Sequence, residues 1–377
     1  MSSFSSLIRI NIFRRPGRVF VIPTYVSNLY FRLTHWETWH WLVKYIPLVP
    51  AWIWFCIRAR SLWFFTSSNP TLTFGGYEGE GKMEMYHQLP PGSYPKSKLI
   101  CPALSLHEIE NLFMQDEFHF PIAVKPDVGR MGLLFRKIDN MSQLRSYHSK
   151  IHVDYIIQEF VTYPVEVSVF YYRFPDQQNG TITGFVKKEP LQVKGDGRST
   201  LKELIESYPR TRFRLDEMFK KHAGQLQDVI PANQIFYLSE ALNLSRGGKL
   251  VNLDNEKDDN LHAVLDGLSH YTGFYYGRYD IKCSSVADFK AGKNFSILEF
   301  NGCGAEPHHI YGNENTLYQA LAEILNHWAV LFKISRYNQR NGTCHWPFLA
   351  GLKHLQNAGK HFRQVKKLEL HQDLIHG

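Results

Sequence analysis

The stretch Ile297-Leu-Glu299-Phe-Asn301-Gly-Cys-Gly-Ala-Glu306-Pro, preceded by Gly277-Arg278-Tyr-Asp280-Ile, decides how the chain is read. Glu299 and Asn301 stand two apart at the end of an apolar run, so on a strand both project from one face. Asp280 closes a second short apolar run, and two neighbouring strands would bring three oxygen donors to one point. Two carboxylates and an amide carbonyl suit Mg²⁺, with Mn²⁺ as an alternative, because such ions prefer hard oxygen ligands and complete their shell with phosphate and water. Arg278, two residues before Asp280, is expected on the same side. The partner for such a site is a nucleoside triphosphate. A lone Glu-X-Asn is common at strand ends in α/β proteins; the paired motifs gain meaning from phosphate-binding signals upstream.

Those signals begin at Phe120-Pro-Ile-Ala-Val-Lys125-Pro-Asp-Val-Gly129-Arg130-Met131-Gly132. Ile122 to Val124 reads as a short buried strand with Lys125 at its end. Pro126 holds the chain extended, and Gly129 and Gly132 permit a turn whose amides can fold over phosphates. Lysine is a compact charge suited to a phosphate group. The Gly-X-X-X-X-Gly-Lys-Ser/Thr loop is absent from this position. Downstream, Tyr155-Ile-Ile-Gln158-Glu159-Phe160-Val161 reads as a buried strand ending in a polar pair, followed by a second strand from Glu166. A strand–linker–strand of this kind can hold a purine, with backbone groups of Glu159 to Val161 at the adenine edge and Glu166 at the ribose. Taken alone, Glu166 reads as a solvated carboxylate on a strand edge.

In this order the motifs resemble the ATP-grasp superfamily, and within it the carboxylate–amine ligases of the D-alanine–D-alanine ligase type. The resemblance runs from about residue 70 to about residue 335 and rests on Val-Lys-Pro at 124–126, the loop 129–132, Gln-Glu-Phe-Val at 158–161, Glu166, Gly-Arg-Tyr-Asp at 277–280 and Glu-Phe-Asn at 299–301. It implies an α+β ATP-grasp fold, two α+β subdomains clasping ATP. It further implies that Lys125 contacts the α/β phosphates, that Asp280, Glu299 and Asn301 hold Mg²⁺, and that Arg278 steadies an acyl phosphate. Lys82 falls where many members place a second lysine near the nucleotide, although a lysine at a helix start is usually solvated.

Val193-Lys-Gly195-Asp196-Gly197-Arg-Ser199-Thr200-Leu-Lys-Glu203 reads locally as a tight turn followed by a capped helix, with Glu203 completing a capping box. It also resembles the Gly-Asp-Gly turn of peptide-forming ATP-grasp enzymes of the cyanophycin and glutathione synthetase type. The chain departs from the D-alanine ligases in two ways. Their substrate-contacting serine and tyrosine have no clear counterpart, and the region before the ATP-grasp domain is reduced to residues 66–121. That region is expected to hold a helix near Lys82, an extended stretch over 94–100 and a second helix over 105–117.

Glu306-Pro-His308-His309-Ile-Tyr311 follows the metal motif directly. In the resembled ligases this region lines the acceptor pocket, so Glu306 and His308 are candidates to hold an amine or move a proton. The adjacent histidines also permit a zinc reading, which is disfavoured because neighbours on a strand alternate sides. Asn243 and Arg246-Gly-Gly-Lys249 read as a substrate loop or a plain turn.

These residues predict an ATP-dependent ligase in which a substrate carboxylate attacks the γ-phosphorus and an amine then displaces phosphate from the acyl phosphate. The loop 129–132 would close over that intermediate and keep water out. Two rivals are a membrane-associated ATP-binding scaffold without catalysis and a small-molecule kinase; intact Lys125, Arg278, Asp280, Glu299 and Asn301 argue against the scaffold. The expected partners are a small carboxylate and a small amine. No motif with base-reading or stacking residues points to nucleic acid.

The first 65 residues form a separate segment. Six of the eight tryptophans lie between Trp36 and Trp63, and the apolar run between Lys44 and Arg58 is thirteen residues long. A spanning helix needs about twenty, and Pro47 and Pro50 are expected to interrupt this one. Arg14, Arg15, Arg18, Arg58 and Arg60 flank the aromatic cluster, a pattern that fits either an interfacial anchor over 36–65 or an aromatic helix packed on the body. The apolar run lies too deep for a signal peptide, so a cytoplasmic protein is expected, either free or held at the inner membrane surface. The remaining divisions are an ATP-grasp domain over 122–335 and a basic tail over 336–377, in which Leu352, Leu355, Phe362 and Val365 recur at near-helical spacing. The five cysteines show no paired spacing, which argues against disulfides or a cysteine-rich zinc site. A net charge of +8 suits anionic lipid, acidic substrates or, as the third choice, nucleic acid.

Overall fold

Residues 28, 30–31, 33–239, 242, 247–312 and 315–373 are described by the computed structural model, so Asn243 to Arg246 and the arginines at 14, 15 and 18 lie outside the described residues. The fold is α+β. Strands β1 (Ser97–Ile100), β2 (Ile122–Pro126), β3 (Arg136–Ile138) and β4 (Tyr155–Glu159) make an antiparallel sheet in the order β1-β4-β2-β3. Its strands read as near-continuous apolar runs because both faces are covered. Tyr155 and Ile157 pack with Ile109 and Phe113 of helix Leu106–Gln115 and with Leu144 of helix Met141–Lys150, while Ile156 packs on the other side with Met85 and Tyr86. Ser105 and Glu108 form a capping box that starts the first of these helices. Strand β1 lies inside the segment expected to precede the domain, yet it hydrogen-bonds along β4.

A second antiparallel sheet uses β5 (Val165–Tyr172), β6 (Thr181–Glu189), β9 (Lys249–Asn252), β10 (Tyr276–Cys283) and β11 (Phe295–Asn301) in the order β11-β10-β5-β6-β9. One face is apolar: Val167, Val169, Tyr171, Ile281 and Ile297 pack on Leu261, Leu265 and Leu268 of helix Asp259–Thr272. That helix is capped by the Asp258 side chain and ends at Gly273, whose φ of 70° suits glycine. Each such side chain contributes about 1.5–3 kcal/mol on burial. The opposite face carries the polar residues of the cleft. Between β6 and β9 the hairpin of β7 (Gln192–Lys194) and β8 (Ile235–Tyr237) packs with helices Leu201–Ser207 and Leu215–Lys221 around its own small core. Thr200 caps the first of these helices with Glu203, and Asp196 accepts from the amides of Arg198 and Ser199 at 2.8 and 2.7 Å.

Two long helices hold the assembly together. Helix Leu317–Arg340 buries Ala320, Ile324, His327, Leu331, Ile334 and Asn338, a stripe at helical spacing. Helix Val49–Ala59 lays Trp52, Phe55 and Cys56 against it. Pro47 and Pro50 do not interrupt this segment as expected: both fall in first turns, where a missing amide hydrogen costs nothing. The helical path Leu42–Ala59 is long and apolar enough to cross a membrane, although one of its faces is packed. Residues 348–373 form a docked helix rather than a tail. Val365 is fully buried in the core of the first sheet, His361 donates to the Val128 carbonyl at 2.7 Å, and Glu369 accepts from the Leu134 amide at 2.6 Å.

Candidate active site

The cavity between the sheets has a volume of about 1460 Å³. The second sheet contributes Lys188, Arg278, Asp280, Glu299 and Asn301 to its wall; Glu80, Lys82 and the loop Gly129 to Gly132 come from the first lobe, and Glu306 and His308 close one side.

Strand register explains the cluster. Asp280 pairs with Glu299 and Arg278 with Asn301 across β10 and β11, so all four side chains share a face. The register shifts between Asp280 and Ile281, leaving Leu298 as an extra residue on β11. This bulge matters because Ile297 and Glu299 would share a face on a regular strand. With it, Ile297 enters the core while Glu299 faces the cleft. The strand end is held by a close approach: a Cβ on Gly302 would lie 2.5 Å from the Gly75 carbonyl oxygen.

Asp280 is the most enclosed of the acids. Burial raises its pKa, but Arg278 and Lys188 outweigh that effect and hold it well below the ordinary carboxylate range. Arg278 Nη2 and Lys188 Nζ each lie 3.2 Å from its oxygens, and the Ser168 hydroxyl donates to it. Asn301 donates its amide to Asp280 at 3.3 Å, which leaves the amide oxygen as the donor a cation would take. Glu299 is open to the cleft, with its side chain 37% exposed and Lys82 at 3.5 Å. Three adjacent oxygen groups, one of them open, fit a hard divalent cation.

Lys188 was not singled out from the sequence. It ends the apolar stretch of β6 in Phe185-Val-Lys-Lys188-Glu and sits directly opposite Glu166, to which it donates at 2.9 Å. The signal was a polar residue on the cleft-facing side of a strand that is otherwise buried. Glu166 therefore faces a lysine across the sheet rather than solvent. Tyr86 was missed as well: its hydroxyl donates to the Leu298 carbonyl at 2.6 Å and accepts from Gln158 at 2.9 Å and Lys125 at 3.4 Å. It thereby joins the β11 bulge to the first sheet. Burial depresses the Lys125 pKa to about 8 despite Glu299, Glu166 and Asp127 nearby. Lys82 is also enclosed, donating to the Gly129 carbonyl at 3.1 Å.

Lys125 and Gln158 to Val161 do not line the large cavity. Glu159 ends β4 exposed, and the Val161 carbonyl accepts from Lys282 at 3.2 Å. Arg130 pairs with Glu78 and stacks 4.3 Å from the Phe362 ring, while Met131 is exposed at the loop tip. The backbone oxygen of Glu306 accepts from Arg278 at 2.9 Å, and its carboxylate accepts from Tyr311 at 2.6 Å and Tyr45 at 3.2 Å. The N-terminal segment thus reaches the site through Tyr45 and Lys44. His308 and His309 lie at the start of a short helix rather than on a strand, and they diverge. His308 is buried beside Arg278 and Asp280; burial, then Arg278, drives its pKa well below 6.5, and its Nδ1 has no partner.

No protein-family model matches the chain. It is 22% identical over 168 residues to cyanophycin synthetase of Synechocystis sp., a match covering 39% of this chain and 19% of that one. Among solved structures it is similar to a bifunctional glutathione synthetase from Pasteurella multocida, with TM-score 0.43, 16% identity, and 67% and 38% of the two chains covered. It is also similar to D-alanine–D-alanine ligase from Bacillus anthracis complexed with ATP, with TM-score 0.39, 11% identity, and 69% and 66% covered. These are proteins of the ATP-grasp type that the motifs resemble. The chain spans about a fifth of the length of the curated relative it matches.

Proposed function

We propose that this chain is an ATP-dependent ligase that joins a carboxylate to an amine through an acyl phosphate, releasing ADP and phosphate. The observation that carries the reading is the register-locked group Arg278, Asp280, Glu299 and Asn301, with Lys188 against it, on one wall of a cleft between two sheets. The named relatives, a cyanophycin synthetase, a glutathione synthetase and a D-alanine–D-alanine ligase, point the same way.

Asp280, Glu299 and Asn301 would hold Mg²⁺, or Mn²⁺, which neutralises phosphate charge when bound. Lys125, Lys188 and Lys82 supply positive charge toward the triphosphate, and the Gly129 to Gly132 loop covers it. The connector Gln158 to Val161, although outside the cavity lining, keeps the base-binding role that the resemblance implies. A substrate carboxylate oxygen bonds to the γ-phosphorus while the bond to the ADP oxygen breaks. Arg278, fixed by Asp280 and the Glu306 carbonyl, offers its guanidinium to the charge on the transferring oxygens. The amine nitrogen then bonds to the acyl carbon, phosphate leaves, and the amine proton passes to His308, a neutral imidazole with an unpartnered nitrogen. Glu306 holds the amine end.

The decisive assay measures ADP release from Mg·ATP with pooled amino acids and dicarboxylates, for wild type, Glu299→Ala and Lys125→Ala. Amine-dependent release abolished by both substitutions supports ligation. Turnover without amine supports a kinase instead. Metal-dependent ATP binding without turnover supports a scaffold.

A second feature supports a cytoplasmic enzyme seated on the inner membrane surface. The helix face opposite Trp52 and Phe55 exposes Ile46, Val49, Ile53, Trp54 and Ile57. Beside it a smaller cavity of about 400 Å³ is lined by Arg58, Lys333, Arg336 and Arg340. Apolar side chains next to a cluster of cations suit an anionic lipid surface. Vesicles containing phosphatidylglycerol should sediment the protein and neutral vesicles should not; equal recovery in the supernatant with both would remove this reading.

A further inference from the structure

His309, the histidine that turns away from the cleft, meets Glu323 and His327 on helix Leu317–Arg340. Glu323 and His327 are four apart and share one face of that helix. The Nε2 atoms of both histidines lie 3.2 Å from one oxygen, Oε1 of Glu323, and the three ligand-capable atoms all fall within 4.8 Å of one another. A tetrahedral ion with ligands at about 2.0–2.1 Å places adjacent ligand atoms about 3.3 Å apart. The observed separations to the carboxylate match that edge.

Hydrogen bonding alone does not account for the arrangement. His309 Nε2 bonds to the Glu323 oxygen, but Nε2 of His327, equally close, has no hydrogen-bond partner although the residue is only 3% exposed. A buried polar nitrogen aimed at a carboxylate without a bond is unfavourable. A shared cation would satisfy both Nε2 atoms and the carboxylate together.

The surroundings are those of a built site. Tyr276 places its hydroxyl 3.5 Å from Nδ1 of His327, on the side away from the cluster, as partners of metal-bound imidazoles do. The Phe170 ring meets the His327 ring edge-on at 4.3 Å and fixes its plane. At Gly184 of β6 a Cβ would lie 2.0 Å from Nδ1 of His309, so glycine makes the room this imidazole occupies. The Glu323 side chain is 34% exposed, which leaves an entry path and a place for a water ligand.

We propose that His309, Glu323 and His327 bind one divalent ion of the zinc type, separate from the all-oxygen group in the cleft. Two imidazoles and one carboxylate select zinc over magnesium or calcium, which take oxygen shells. Bound there, the ion ties the short helix His309–Gly312 to the long helix Leu317–Arg340. It thereby fixes the turn that carries Glu306 and His308 beside Arg278.

The test uses tag-free full-length protein in excess Mg²⁺, so that the cleft carboxylates do not compete. Titration with Zn²⁺ should saturate at one equivalent and raise the melting temperature. Co²⁺ should give the visible absorption of a four-coordinate site without a sulfur-to-metal band. Glu323→Gln, at a partly exposed position, should weaken Zn²⁺ binding by more than the roughly 10–100-fold that loss of a ligand's partner causes, and His327→Ala should abolish it. Asp280→Asn should leave zinc binding unchanged. Failure of wild type to bind an equivalent of zinc, or unaltered affinity in Glu323→Gln, overturns the proposal, and the second criterion holds even if His327→Ala does not fold.

Discussion

At the scale of single residues, the cleft is governed by how burial and charge set protonation. Lys125, held near 8 by burial, is half-charged at pH 8 without nucleotide. On the proposed function a triphosphate beside Lys125 would raise its pKa, so ATP binding at pH 8 should take up about half a proton. Calorimetry in buffers of different ionisation enthalpy should show that uptake in wild type and not in Lys125→Met. Glu80 is the opposite case: burial raises its carboxyl to about 7, and one of its oxygens has no partner. The folded protein holds this proton where the unfolded chain has lost it, so stability falls as pH rises from about 4.5 to 7 and is flat above. Glu80→Gln should gain about 3 kcal/mol over wild type at pH 8, and nothing at pH 4, by denaturant unfolding at the two pH values. The contrast between Glu166 and Lys188 shows what was legible at this scale. Glu166 was recognisable by its place after the connector. Lys188 was not, because only the pairing of β5 with β6 puts it opposite Glu166 and within reach of Asp280.

Among the elements, β11 shows how little separates a working strand from a defective one. The alternation of Glu299 and Asn301 was readable from the sequence, and the order β11-β10 makes their partners Asp280 and Arg278. The bulge at Leu298 was not readable, since an apolar run gives no sign of the residue that leaves the ladder. Gly302 is the matching constraint at the strand end. Gly302→Ala should cost about 3 kcal/mol, because the added methyl meets backbone at Gly75 and Gly76 rather than a side chain that can move. Thermal unfolding should record a drop of roughly 4 °C, from an unfolding entropy of about 2 cal/mol/K per residue over the whole chain. The C-terminal helix carries a related lesson. Its near-helical spacing suggested a surface helix, but not what the helix packs against. The first sheet needs an apolar cover, and Val365 and Leu368 supply it.

For the whole molecule, the described part of the N-terminal segment packs on the rest of the fold with one face of helix Val49–Ala59 and exposes apolar side chains on the other. Trp52 contacts Phe64, Phe65 and Trp328, whereas Trp54, two residues on, is 57% exposed. The two tryptophans should therefore separate by assay. Trp52→Ala should cost about 3–4 kcal/mol in denaturant unfolding, the loss usual for a large aromatic in a core. Trp54→Glu should change stability by under about 0.5 kcal/mol and reduce recovery on anionic vesicles. Equal effects of the two substitutions in both assays would dissolve the distinction between faces.

The sequence by itself determined the chemistry offered to the cleft: lysine at the end of a buried strand, a glycine loop after it, and polar pairs two apart, Arg278 with Asp280 and Glu299 with Asn301, on strands that must be half-buried. These follow from local periodicity and from the narrow set of residues that can meet phosphate and a hard cation. Tertiary structure alone decided which distant residues complete the site. Lys188 faces Glu166, Tyr86 links the β11 bulge to Gln158 and Lys125, and His309 leaves its neighbour His308 to join Glu323 and His327. The reason is that these contacts depend on strand order, register and helix docking, which are set by how several apolar faces are buried at once and which no short window of sequence contains.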